Sequence, residues 1–496
     1  MKKKSLSKHK GCLNPNQASE DSFKIPFIVL DTPKIIAKWI KDQNLVFANG
    51  NTAFDPKVGI PLYGPMSYQT GRHRKEVHIG IIATSQIQED VTNYYDKLAC
   101  GVDGSDQLLP FPGCKEDRGY RMKISFDATL VENFSRSEHQ EILGIRNTKD
   151  RFERIVFFYE QKIRLLSEKD HPIDNIIVAI PDDIYKKCRV AEYKNNQNVF
   201  VLHNLRRVIK AIAMKYKVPT QILQESTINL NFRRDREHLS VIAWNLFTGL
   251  YFKTDGLPWG PSGITPGTCY IGISFFRPLD DRSKIRTSVA QAFDENGEGL
   301  VLRGKSFQWD EEKQGRSPHL SEELAGELIS QIIKRYCEER KQNPKKIVIH
   351  KTSRFEQDER LGFESVLKTY NCLYDLVALE QTSMCRLVRK GKYPPLRGTC
   401  FSIGELDYLY TTGFISATGK FPQGHVPSPL QIADHVGDSS TLELFRDIMM
   451  LTKMNWNSAN VDGALPITLL FARAVGDVMR EIPAGQEPNP KYKFYI

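Results

Sequence analysis

The sequence predicts an α/β fold built in two units, and three observations carry the prediction. Short β-branched runs such as "NIIVAI" (175–180) and "VFVL" (199–202) alternate with helix-compatible stretches, the pattern of a parallel sheet covered by helices. The breaker cluster "GLPWGPSGITPG" (256–267) divides this alternation from a second one. Beyond it, strands and helices alternate again to the end of the 496 residues, a length that suits two or three packed domains.

In chain order, residues 1–44 read as a tail and first elements, with a basic start (Met1 to Lys10) that lacks the apolar segment of a secretory signal. Residues 45–150 mix short apolar runs with turn signals, and "HIGIIAT" (78–84) reads as a buried strand. Residues 151–260 form the first α/β unit and 261–496 the second. In the latter, "TCYIGISFF" (268–276), "GLVLRG" (299–304) and "KIVIH" (346–350) are strands. "SEELAGELISQIIKRYCEER" (321–340) is a helix with Leu324, Leu328, Ile332 and Tyr336 on one side and Ser321 as its cap. The stretches "LELFRDIMML" and "PITLLFARAVGDVM" (466–479) are the final helices.

Composition narrows the function. No run of 18 apolar residues is present, which argues against a membrane span. Nine cysteines without a C-x-x-C pair suggest neither a zinc site nor a disulfide framework, and fit a reducing cytoplasm. A net charge of +10 favours a polyanionic partner. No G-x-G-x-x-G follows a strand, against a dinucleotide-binding enzyme, and no helix-turn-helix or zinc-finger spacing supports a reader of duplex DNA.

The segment "HNLRRVIKAIAMKYKVPTQILQEST" (203–227) is the most informative. Asn204 caps a helix whose apolar face is Val208, Ile209, Ile212 and Tyr216. Arg206 and Lys210 rise from one face at i and i+4, with Lys217 close to the same line. Cations at a helix start oppose the dipole unless an anion compensates, so this face suits a phosphate held partly by free backbone N–H groups. His203 and Arg207 offer a competing register.

These residues resemble the MID domain of Argonautes, which grips the 5′-phosphate of a guide. Arg206, Lys210 and Gln221 match three of its positions and Lys253 the fourth. The rest of the chain, roughly 45–496, follows the same family in order: "DPKVGIPLYGP", "IGIS", "PKKIVIHKTSRF", "LTKMNWNSANVDGALPITLLFARAVGDV" and a terminal "YKFYI". The resemblance is to the short prokaryotic form. It implies a Rossmann-like MID domain, an RNase H-like PIWI domain and an N-terminal strand region packing on both.

Active members hold two divalent ions with acidic side chains, since Mg²⁺ is a hard cation. Here Ser274, Thr352 and Arg473 stand at three of those positions, and Glu298 is the candidate for the remaining one. The resemblance therefore implies a guide-binding protein that does not cut. It implies Mg²⁺ beside the guide phosphate, held by Gln221 and the Ile496 carboxylate. The implied partners are a small RNA guide, a single-stranded DNA target, and an APAZ-domain effector (TIR, sirtuin-like or DNase) that acts in immunity to plasmids or phage, with a higher oligomer on activation. Arg233, Arg234, Arg236, Lys453 and Arg473 are candidates for the nucleic-acid channel, and Trp456 for a buried aromatic. The rival reading is an active nuclease using displaced acids such as Glu298 or Asp462.

Overall fold

The computed structural model describes residues 35–194, 200–229, 237–279, 284–292, 299–382, 384–416, 418–419, 421, 426–483 and 485–496. The first half is built, in chain order, from β1 (Glu76–Thr84), α1 (Ser85–Ala99), β2 (Lys123–Phe134), α2 (Arg136–Gly144), α3 (Thr148–Ser167), β3 (Asn175–Ile180), α4 (Asp182–Cys188), β4 (Val190–Lys194), β5 (Phe200–Asn204), α5 (Leu205–Lys215), β6 (Thr220–Gln224), α6 (Glu225–Ile228) and α7 (Leu239–Lys253). Four strands form one parallel sheet in the order β6-β3-β1-β2. The boundary expected at 150 therefore does not separate two sheets, because β1 and β2 precede it and β3 and β6 follow it. The "VFVL" run also departs from expectation. It forms β5, which pairs antiparallel with β4 in a hairpin outside the parallel sheet.

Burial explains the composition of β3. Ile176, Val178 and Ile180 pack with α3 and α5 residues such as Ile155, Ile163 and Ile209 on one face. Ile177 and Ala179 face the core shared with α7 and the second half of the chain. A strand covered on both faces reads as a continuous apolar run. For the same reason α7 is apolar around most of its circumference, from Val241 to Phe252.

The second half comprises β7 (Thr268–Phe276), β8 (Lys284–Ala292), β9 (Leu300–Gln308), α8 (Glu322–Arg340), β10 (Lys346–Lys351), α9 (Gln357–Thr369), β11 (Leu373–Gln381), β12 (Thr399–Ile403), β13 (Leu406–Leu409), β14 (Leu430–Gly437), α10 (Thr441–Leu451) and α11 (Ile467–Met479). Its sheet runs β9-β8-β7-β10-β11-β14-β13-β12 and ends on the two-residue strand Lys38–Trp39. The meander β7-β8-β9 is antiparallel, whereas β10 and β11 run parallel to β7 after the crossover helices α8 and α9. As the sequence predicts, Ser321 caps α8, and Leu328, Ile332 and Tyr336 are buried. Among the described residues no helix is long and apolar enough to cross a membrane.

Where α11 crosses the sheet, only glycine fits. A Cβ on Gly272 of β7 would lie 2.0 Å from the Thr468 carbonyl oxygen of α11. His350 of β10 adds a hydrogen bond between its Nδ1 and Thr468 Oγ1 at 2.8 Å. Burial drives the His350 imidazole pKa down to about 4, so the ring is neutral there.

Candidate nucleic-acid interface

Three elements and the end of the chain meet at one cationic pocket. Helix α5 starts as expected, with Asn204 Oδ1 accepting from the Arg206 and Arg207 backbone N–H groups at 3.1 and 3.4 Å. Such a cap contributes about 1 kcal/mol. It also occupies donors that the sequence reading left free for a phosphate, and Leu205 N–H is taken by the Arg189 carbonyl. The helix start is therefore closed, and the site opens on the side of α5. Lys217 falls outside it: α5 ends at Lys215, and Lys217 is an exposed residue in a left-handed turn (φ 57°).

Arg206, Lys210, Gln221 and Lys253 do come together. The exposed Arg206 is steadied by donating from Nη2 to the Ile222 carbonyl at 2.9 Å, next to Gln221 on β6. Lys210 Nζ donates to the Tyr495 carbonyl at 3.2 Å. Lys253 lies in the last turn of α7, the favourable end of a helix for a cation, and donates to Gln221 Oε1 at 2.6 Å. Among the described residues no carboxylate side chain is paired with Arg206, Lys210 or Lys253. Electrostatics show the strain of this gathering. Burial lowers the Lys210 pKa to about 8, helped by Arg206 and Arg207. Burial pushes Lys253 well below the usual lysine range, and Lys210 and Arg206 push it further.

The rival register is used elsewhere. His203 Nδ1 pairs with Glu481 at 2.7 Å and its ring lies between Phe152 and Tyr193. Arg207 pairs with Asp477 at 2.6 Å. Both contacts reach α11 or the residues just after it. Sequence reasoning missed these acids, and it missed the Tyr495 carbonyl, a backbone group that no side-chain pattern announces. The terminal "YKFYI" did carry a signal. Tyr492, Phe494, Tyr495 and Ile496 are buried, Tyr492 stacks on Phe471, and Lys493 pairs with Asp255 just past α7 at 2.8 Å.

The second centre lies at the ends of β7 and β10. Gly272 pairs in register with His350, and two residues further along each chain stand Ser274, half-buried, and Thr352, exposed. Arg473 is exposed on α11. The acid close by in sequence, Glu359, is committed to structure. It accepts from the buried Lys351 at 2.5 Å and from Leu320 N–H at 2.9 Å, and its Oε2 lies 3.0 Å from His319 Nδ1. Burial alone would raise its pKa, but the bonds from His319 and Lys351 hold it below the usual value. Among the described residues no three His, Cys, Asp or Glu side chains form a metal-holding group. Asp462 lies close enough to Asp55 to add to the burial that raises the Asp55 carboxyl pKa.

Of the channel candidates, Lys453 is a correction. Its side chain is fully buried, with Nζ donating to the Gln43 carbonyl at 2.7 Å and lying 3.9 Å from the Phe54 ring centre, so it cannot line a channel. Arg233, Arg234, Arg236 and Glu298 lie outside the described residues. Trp456 is buried, as expected.

No family model matches the sequence. The Argonaute of Aquifex aeolicus (strain VF5) is 22% identical over 331 residues, which cover 65% of this chain and 42% of that protein. Among solved structures, Clostridium butyricum Argonaute bound to a guide DNA and a 19-mer target DNA superposes with a TM-score of 0.66 at 16% identity, over 91% of this chain and 54% of that one. Drosophila Piwi gives 0.58 at 15% identity over 92% and 56%. Aquifex aeolicus Argonaute with externally bound siRNA gives 0.56 at 16% over 92% and 56%. The chain thus has the fold of Argonaute and Piwi proteins, a Rossmann-like MID domain joined to an RNase H-like PIWI domain. It spans about half the length of the solved chains it matches and less than half of the curated one.

Proposed function

We propose that the chain is a short, non-cleaving Argonaute that binds the 5′-phosphate of a small RNA guide and presents the guide to single-stranded DNA. One observation carries the reading: Arg206, Lys210 and Lys253 converge around Gln221 with no paired carboxylate side chain, and two of them hold depressed pKa values. A pocket that forces cations together in this way is completed by a phosphate dianion. Relatives solved with guide DNA and target DNA, or with siRNA, support nucleic acid as the ligand.

The same pocket bears on the proposed magnesium. Three cations disfavour a divalent cation on their own, and Gln221 Oε1 already accepts from Lys253. The residues fit Mg²⁺ only with the guide phosphate in place, held by Gln221 and the Ile496 carboxylate. Bound there, the ion neutralises phosphate charge.

Support for the non-cleaving part is chemical. Ser274 and Thr352 are neutral, Arg473 is cationic, and none can serve as an anionic oxygen ligand for Mg²⁺. The output then falls to an APAZ-domain partner, a TIR, sirtuin-like or DNase effector, that guide–target pairing activates in cytoplasmic defence against plasmids or phage. Binding of 5′-phosphorylated against 5′-hydroxyl oligonucleotides tests the reading. A clear preference for phosphate is expected, and equal binding overturns it.

A further inference from the structure

At the opposite end of the four-stranded sheet lies a second site. All four strands are parallel, and their carboxyl ends open on one crevice of about 730 Å³ lined by Thr84, Ser85, Phe134, Pro181, Asp182 and Glu225, among others. Taken in chain order, the sheet strands run second-first-third-fourth, so the topology reverses between β1 and β3. Open α/β sheets bind ligands outside the carboxyl ends of their strands at such a reversal. The volume suits a ligand of nucleoside size. It is not the pocket described above. Gln221 sits near the start of β6 and Glu225 just past its end, four residues or roughly 13 Å of extended chain away.

The chemistry of the walls selects the ligand. Glu225 Oε2 accepts from Asp182 N–H at 3.0 Å, and Asp182 Oδ1 accepts from Ser226 N–H at 3.1 Å, so each acid fixes the other's loop. That leaves Asp182 Oδ2 and Glu225 Oε1 without a hydrogen-bond partner among the described residues. Asp183 carries a further carboxylate, paired with His139 at 2.9 Å. The free carboxylate oxygens of Asp182 and Glu225 can accept from hydroxyl groups, and Arg136 and His139 complete the polar lining. We propose that this crevice binds a ribonucleoside through its ribose hydroxyls, with Asp182 and Glu225 as the acceptors.

Calorimetric titration of the full chain with adenosine, guanosine, cytidine and uridine tests this. At least one is expected to bind. Its 2′-deoxy form should bind about tenfold more weakly, as befits one lost bond to a charged acceptor. Ser85→Trp fills the crevice from an exposed position and should abolish nucleoside binding while leaving binding of 5′-phosphorylated oligonucleotides unchanged. The proposal is overturned if no ribonucleoside binds at millimolar concentration, if the deoxy form binds equally, or if Ser85→Trp has no effect. None of these outcomes touches the guide-binding reading, which stands on the other end of the sheet.

Discussion

The discrimination between 5′-phosphate and 5′-hydroxyl ends should vanish as pH rises through the depressed pKa of Lys210. In the empty pocket that pKa is about 8 against an ordinary 10.5. The difference is worth about 3 kcal/mol, the cost of holding the charged ammonium among Arg206 and Arg207 in a partly dry site. A phosphate dianion offsets that cost, so the preference for phosphate near neutrality should be about tenfold to a hundredfold once solvent screening of the half-buried side chain is allowed for. The sign follows from proton linkage. Below pH 8, Lys210 is protonated with and without guide and adds no slope of its own, and near pH 6 the phosphate itself begins to protonate. Above pH 8 the free protein loses the proton and the complex keeps it. Binding must then take up a proton, and the preference falls by up to about tenfold per pH unit. Fluorescence anisotropy with labelled oligonucleotides of both kinds, from pH 6 to 9.5, measures this directly. Lys210→Met should remove both the preference and its slope. A preference that stays level or grows between pH 8 and 9.5 in the unsubstituted protein refutes the assignment.

Three other outcomes are expected. Lys253→Met should abolish phosphate preference yet raise the melting temperature of the empty protein by a degree or two, because it replaces a buried cation beside two like charges with an apolar chain of similar size; a lower melting temperature counts against the strained-pocket argument. Gly272→Ala should cost about 3 kcal/mol or more, read by thermal or denaturant unfolding, since its Cβ would sit 2.0 Å from the Thr468 carbonyl; unchanged stability would show that α11 shifts freely on the sheet. Incubation with guide, matched target and Mg²⁺ should give no cleavage on a sequencing gel, and a guide-dependent cut at a fixed position would restore the rival nuclease.

Much of this was legible because it is local. The cap at Asn204, the buried face of α8 and the apolar runs of β3, β7 and β10 are set by neighbours in sequence, and the structure reproduces them. Pairing between distant segments is not written that way. Strands β1 and β2 join β3 across helices α2 and α3, and no residue pattern marks which parallel strands will adjoin. Charge misled at Lys453, read as a channel residue although Met450, Leu451, Met454 and Trp456 around it are apolar and buried. Arg206, Lys210, Gln221 and Lys253 do lie together in the structure, and it was the spacing taken from the resemblance that grouped them. The closed helix start did not follow from it, since the acceptor role of Asn204 and the dipole argument compete for the same N–H groups.

The helix α11 makes physical sense only as part of both halves. It is about 20 Å long, and it carries Asp477 in its last turn and is followed by Glu481, acids at the end where the helix dipole disfavours them. Residues at and before the start of α5 offset that penalty: Arg207 pairs with Asp477, while His203 and the Asn204 N–H engage the buried Glu481. Toward its other end the same helix presses Thr468 onto Gly272 and His350, two residues before Ser274 and Thr352. Phe471, between them, holds Tyr492 three residues ahead of the carbonyl that receives Lys210. On the proposed reading, a phosphate that draws Lys210 off the Tyr495 carbonyl would act on a tail and a helix already braced against β7. Occupancy of that pocket would then reach the sheet of the second half through these packed contacts, with no cleavage chemistry involved.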